Sequence, residues 1–156
     1  MLFVIIIDAG LLALERGWAI NLSGGYHHAS AHCGGGFCIY SDISLCIRHL
    51  QRFCPERVRK AMIIDLDAHQ GNGYARDFMN DDSVFIVDAY NHSIYPGDNY
   101  AKRAIKCDIS VYASDDDDQY LSKLVENILP AIHEFQPDFI LYNAGTDCLV
   151  NDPLGG

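Results

Sequence analysis

Lys60-Ala-Met-Ile-Ile-Asp-Leu-Asp-Ala-His-Gln-Gly-Asn-Gly73 is the stretch on which the fold turns. Its first half is a continuous apolar run closed by acids, the pattern of a strand buried on both faces of a parallel sheet. Its second half changes character. Asp65, Asp67 and His69 recur at every second position, so their side chains share one side of extended chain. Gly71 and Gly73 then let the backbone turn sharply, into a helix expected from Gly73 to Met79.

Working outward, similar apolar runs at Val84–Asp88, Cys107–Val111 and Asp138–Asn143 read as further strands, and Trp18–Leu22 as a short one. Helical periodicity marks residues 9–16, a helix capped by Asp42 and running to Phe53, and a long helix from Asp118 to Phe135, kinked or broken near Pro130. Strands alternating with helices predict an α/β fold, a mostly parallel central sheet with flanking helices, in a single domain over residues 1–156. Such sheets bind ligands beyond the carboxyl ends of their strands. That rule selects the loops after residues 22, 66, 88 and 143.

Composition narrows the function. The chain has 156 residues, is 49% apolar, and carries 21 acidic against 11 basic residues for a net charge of -10. Such a surface repels phosphate backbones and argues against direct nucleic-acid binding. The apolar segment Met1–Ile7 is far shorter than the ~20 residues of a membrane span, and reads as a buried strand or the start of a helix. None of the six cysteines forms a C-x-x-C pair, so reduced thiols in a nuclear or cytosolic protein are expected. The run Asp115–Asp118 reads as a solvated loop leading into a helix N-terminus, with a metal site as the weaker alternative.

Three strand ends carry polar clusters: Gly24-Gly-Tyr-His-His28, Asp65 to Gly73, and Ala144-Gly-Thr-Asp147. In the second, a carboxylate and an imidazole can converge on a cation, and Asp147 can add a third ligand. One histidine and two carboxylates leave a coordination position open, which suits a catalytic zinc. Taken singly, Asp147 reads as a helix cap rather than a ligand. The His27-His28 pair reads as catalytic or as two satisfied polar groups.

Together the clusters resemble the zinc-dependent histone deacetylase family. Gly-Trp-Ala-Ile-Asn (17–21), Gly-Gly-Tyr-His-His-Ala (24–29), Gly-Gly-Gly-Phe-Cys (34–38), Ile-Asp-Leu-Asp-Ala-His-Gln-Gly-Asn-Gly (64–73), Ile-Tyr-Pro-Gly (94–97) and Tyr-Asn-Ala-Gly-Thr-Asp (142–147) follow the family order. Their wording is most similar to the class IV branch. The resemblance implies an arginase/deacetylase-like fold and hydrolysis of Nε-acyl-lysine in proteins or peptides, histone tails among them. A related acetylpolyamine-type amidohydrolase is the nearest rival.

By position, the resemblance implies Asp67, His69 and Asp147 as zinc ligands and His27 and His28 as the catalytic pair. Asp65 and Asn72 become their hydrogen-bond partners, and Gly36, Phe37 and Tyr95 the walls of the acyl-lysine tunnel. Asp65 and Asp88 fall on a structural potassium site, where Asp88 stands at a position that is often serine. Asn72 stands where other classes usually have an acid. The family's transition-state tyrosine lies in a Gly-Gly-Tyr segment downstream of Asp147, and this sequence ends at Gly156. The resemblance therefore implies a C-terminally truncated, incomplete domain with little turnover of its own, and keeps a non-catalytic binding protein as an alternative.

Overall fold

At the centre lies β1 (Ala61–Asp65), buried at every one of its 5 positions. The computed structural model describes residues 2–155; Met1 and Gly156, the two ends of the expected domain, lie outside the described residues. β2 (Val84–Asn91) and β4 (Phe139–Asn143) flank β1 on either side, and β3 (Cys107–Val111) lies beyond β2. The spatial order is β3-β2-β1-β4, and all three pairings are parallel.

The two faces of β1 explain its unbroken apolar run. Ala61 and Ile63 point into one core with Ile86, Leu141 and residues of α2 (Asp42–Phe53) and α3 (Asn72–Asp77). Met62 and Ile64 point into a second core with Val87, Ile109 and, from α4 (Asp117–Phe135), Leu124 and Ala131. A strand sandwiched between helical layers has no solvent side, so polar alternation would bury unpaired groups.

Sheet connectivity positions the site. The chain steps from β1 to β2 to β3 in one direction, then returns through α4 to place β4 on the other side of β1. The switch point therefore lies between β1 and β4, and ligands bind in the crevice outside such a point.

Local chemistry accounts for the helices. α4 starts with a capping box: Asp116 accepts from Gln119 N at 2.8 Å, while Gln119 Oε1 accepts from Asp116 N at 3.0 Å. The Asp115–Asp118 run is thus the helix entrance, and Asp115 pairs with Lys123. α4 runs unbroken through Pro130, so the expected break is absent. In α2 the cap position belongs to Ser41 rather than Asp42. The Asp42 carboxylate instead reaches the histidine loop and accepts from Gly25 N at 2.8 Å.

Two sequence expectations change. α1 (Leu2–Arg16) takes in the apolar N-terminal segment as helix, beginning well before residue 9. Residues 18–22 form no strand, and Trp18, Ile20 and Leu22 are exposed. An apolar run becomes a strand only beside an edge that satisfies its backbone groups, and no strand of the described sheet pairs with it. β4 likewise has a partner on one side only among the described residues, leaving Ile140 and Tyr142 exposed. Among the described residues, no helix is long and apolar enough to cross a membrane.

Candidate metal and active site

Beyond Asp65 the chain leaves β1, and beyond Asn143 it leaves β4; parallel register sets these two residues side by side. The loops that follow carry Asp67, His69 and Asp147. One ligand atom from each of these three lies within 4.8 Å of the others. His69 Nδ1 faces both carboxylates, 3.1 Å from Asp67 Oδ1 and 2.7 Å from Asp147 Oδ2. The other Asp147 oxygen accepts from Ala68 N at 2.8 Å, which fixes its approach. An imidazole nitrogen bracketed by two carboxylate oxygens is a group that can hold a divalent cation.

The loop from Gly24 brings His27 and His28 against this cluster. His27 is buried and its Nδ1 donates to Asp65 Oδ2 at 2.7 Å, while Nε2 lies 3.5 Å from Asp67 Oδ1. His28 Nδ1 donates to Asn72 Oδ1 at 2.8 Å. The rings stand 4.2 Å apart between centroids. The glycine at 73 makes this approach feasible: its N–H donates to the His27 carbonyl at 2.8 Å, and a Cβ there would overlap the Ala29 carbonyl.

Different surroundings separate the two histidines. Burial opposes charge on His27, but the charge and hydrogen bond of Asp65 outweigh it, and the ring is raised to about 9. Burial also opposes charge on His28, the neighbouring His27 adds to that effect, and the amide of Asn72 offsets only part; the ring falls to about 4. With no metal between them, the two surroundings thus push adjacent rings in opposite directions, favouring charge on His27 and opposing it on His28.

Asp65 is the hub of this arrangement. It is fully buried, and its carboxylate accepts from His27, from Tyr74 Oη at 2.9 Å, from Asn143 Nδ2 at 3.0 Å and from Asp67 N at 3.1 Å. Four donors satisfy a buried anion that would otherwise be very costly. Asp88 stands beside it in register on β2, also fully buried. One of its oxygens accepts from Gly71 N at 2.9 Å, and the other has no hydrogen-bond partner among the described residues. Burial, and then the charge of Asp65, push its carboxyl well above the ordinary carboxylate range.

The tunnel residues divide. Tyr95 lies edge-on to His28, with centroids 4.9 Å apart, and its hydroxyl accepts from Gly36 N at 3.1 Å. Gly36 has a φ of 39°, and a Cβ there would overlap the His28 ring. Phe37, also expected as a tunnel wall, has 94% of its surface exposed. Sequence reading passed over Tyr74 and Asn143 as functional residues. Asn143 had one signal, since it closes a strand paired with β1 and so had to arrive beside Asp65.

Comparison with known families matches the histone deacetylase domain over residues 6–156. Histone deacetylase 2 of Arabidopsis thaliana is 52% identical over 149 residues, covering 96% of this chain and 38% of the relative. Histone deacetylase clr3 of Schizosaccharomyces pombe is 32% identical over 144 residues, covering 83% of this chain and 21% of the relative. This chain thus spans well under half the length of either. Among solved structures, the HDA15 HD domain superposes with a TM-score of 0.79 at 25% identity, over 96% of this chain and 46% of that one. The histone deacetylase Clr3 gives 0.72 at 20% identity, over 96% and 26%, a likeness of fold alone.

Proposed function

The chain belongs to the histone deacetylase domain family, and on that premise we propose that its site hydrolyses Nε-acyl-lysine amides with zinc held by Asp67, His69 and Asp147. The observation that carries the reading is His69 Nδ1 set between the Asp67 and Asp147 carboxylates, with the His27 and His28 rings alongside. Two carboxylates and one imidazole fit zinc and leave a position for the reactants. When bound, the ion supplies Lewis acidity towards the acyl carbonyl and towards water.

The remaining work falls to the chain's own residues. His28, neutral at physiological pH, donates through Nδ1 to Asn72 and so keeps the lone pair of Nε2 for a proton. It takes that proton from the attacking water and returns it to the lysine nitrogen as the C–N bond breaks, which leaves a carboxylic acid and an amine; the water's second proton then passes from the acid to the amine or to solvent, giving carboxylate and ammonium. His27, held as a cation by Asp65, contributes fixed positive charge near the developing oxyanion rather than a moving proton. Gly36 and Tyr95 flank the approach of the acyl-lysine stem beside His28, and Phe37 borders its mouth.

Finer features follow from the same reading. Asp65 and Asp88 form the protein's side of a potassium site, and the partnerless buried oxygen of Asp88 is what supports a cation there. The wording of Asp65–Gly73 and Gly24–Ala29 favours the class IV branch. Histone tails are the proposed protein substrate, which sets the work in the nucleus, with other acyl-lysine proteins as cytoplasmic targets.

Turnover of an Nε-acetyl-lysine peptide by a longer polypeptide that carries this chain together with a Gly-Gly-Tyr segment tests the proposal. Activity is expected to vanish on chelation, return with zinc, and fall by about a hundred- to ten-thousand-fold in His28→Ala with zinc content unchanged. Rates indifferent to the chelator or to His28→Ala would overturn it.

A further inference from the structure

Asn72 can offer His28 either its oxygen or its amide nitrogen, and the two choices impose opposite tautomers on the ring. The choice is made one layer further out. Asn72 Nδ2 donates to Asp98 Oδ2 at 3.2 Å, and an ionised carboxylate only accepts, so Asn72 Oδ1 is turned towards His28 Nδ1. Asp98 is itself anchored on three sides. Arg76 binds the same oxygen through Nε and a terminal nitrogen, each at 2.7 Å, and Asp98 Oδ1 accepts from Ala101 N at 3.0 Å. Buried Gln70 clasps the Asp98 backbone, donating to its carbonyl and accepting from its N–H, both at 3.0 Å.

We propose that Asp98 is a positioning residue for His28: by holding the amide nitrogen of Asn72, it fixes the ring as the Nδ1–H tautomer with Nε2 bare. The proposal rests on the reading of His28 as the base, although the orientation it describes does not depend on turnover. It also accounts for an amide at position 72. A carboxylate there would face Asp98 at hydrogen-bond distance, and like charges so close repel. The negative charge behind the second histidine is therefore present in this chain, moved one residue outward and relayed through an amide.

Two measurements on the metal-free protein test this. The first is the tautomer of His28, read at mildly alkaline pH from the chemical shifts of isotope-labelled imidazole nitrogens. Asp98→Ala leaves the Gln70 clasp intact, because that clasp uses only backbone atoms of residue 98. The variant is expected to fold and to lose the pure Nδ1–H signature in favour of a mixture or of Nε2–H. A folded Asp98→Ala with the wild-type signature would overturn the proposal. The second is a thermal melt that compares Asn72→Asp with the exchange variant Asn72→Asp/Asp98→Asn, and stays informative even if Asp98→Ala does not fold. The exchange variant is expected to melt higher, because carboxylate and amide have traded places and the like-charge contact is gone; both variants keep an acceptor against His28 Nδ1. An exchange variant that melts no higher than Asn72→Asp would sink it. Neither readout uses acyl-lysine hydrolysis, so failure of the deacylase reading and failure of this one are separately visible.

Discussion

Asn143 Nδ2 donates to Asp65 Oδ1 at 3.0 Å, across the carboxyl ends of two strands that are 78 residues apart in the chain. The bond ties the loop carrying Asp147 to the buried anion behind His27. Truncating the amide removes a donor to a buried charge, which typically costs about 1.5–3 kcal/mol. Asn143→Ala should lower the urea midpoint accordingly, with little change in slope. Asn143→Asp, which sets a second carboxylate against Asp65, should lower it further.

Zinc binding should be measurable as stability. Ligand at about 100 times its dissociation constant adds about 2.7 kcal/mol to a protein that binds it only when folded. The chain should gain that increment with zinc and lose it in Asp147→Ala, where the third donor is gone. Chelator titration followed by thermal melting reads both, and an equal gain in the variant would remove Asp147 from the ligand set.

The His27–Asp65 pair should leave a signature in the pH dependence of the metal-free protein. His27 is raised from 6.5 to about 9 in the folded chain. Its pairing therefore stabilises fully below the unfolded value and is lost as pH rises through about 9. Asp65→Asn abolishes the charge that raises it. The gap in urea midpoint between wild type and Asp65→Asn should be widest near about pH 6 and narrow towards about pH 10. A gap that widens with pH would reverse the assignment of charge to His27.

A methyl group at Gly73 should undo the histidine loop. The position abuts the Ala29 carbonyl and donates to the His27 carbonyl, so Gly73→Ala forces α3 away from the loop. The expected loss is about 3 kcal/mol, the upper end for overpacking. Urea unfolding reads the stability, and the His27 ring signals should shift with it.

The strands were legible because burial on both faces leaves a contiguous apolar run, as in Ala61–Asp65 and Phe139–Asn143. The convergence of Asp67, His69 and Asp147 was legible because these residues follow those strand ends at short, regular spacing. What was not legible depended on partners remote in sequence. Trp18–Leu22 reads as a strand, yet a strand is a property of a pair, and no partner lies beside it. Asp98 belongs to no motif singled out in the sequence; only the folded chain shows its carboxylate meeting Asn72 and Arg76. Tyr74 looks like core, which it is, and its hydroxyl is seen to matter only once it meets Asp65.

The switch of strand order between β1 and β4 has a mechanical side. β4 is held in the sheet by β1 alone among the described residues, whereas β1 lies between two neighbours. An ion gripped by Asp67, His69 and Asp147 would act as a reversible cross-link between these strands, closing a loop whose ends, His69 and Asp147, lie 78 positions apart. Closing so long a loop withdraws much of the freedom of the unfolded chain. The ion would therefore work as a fastener for β4, and its departure would loosen that edge first while the centre of the sheet stayed ordered.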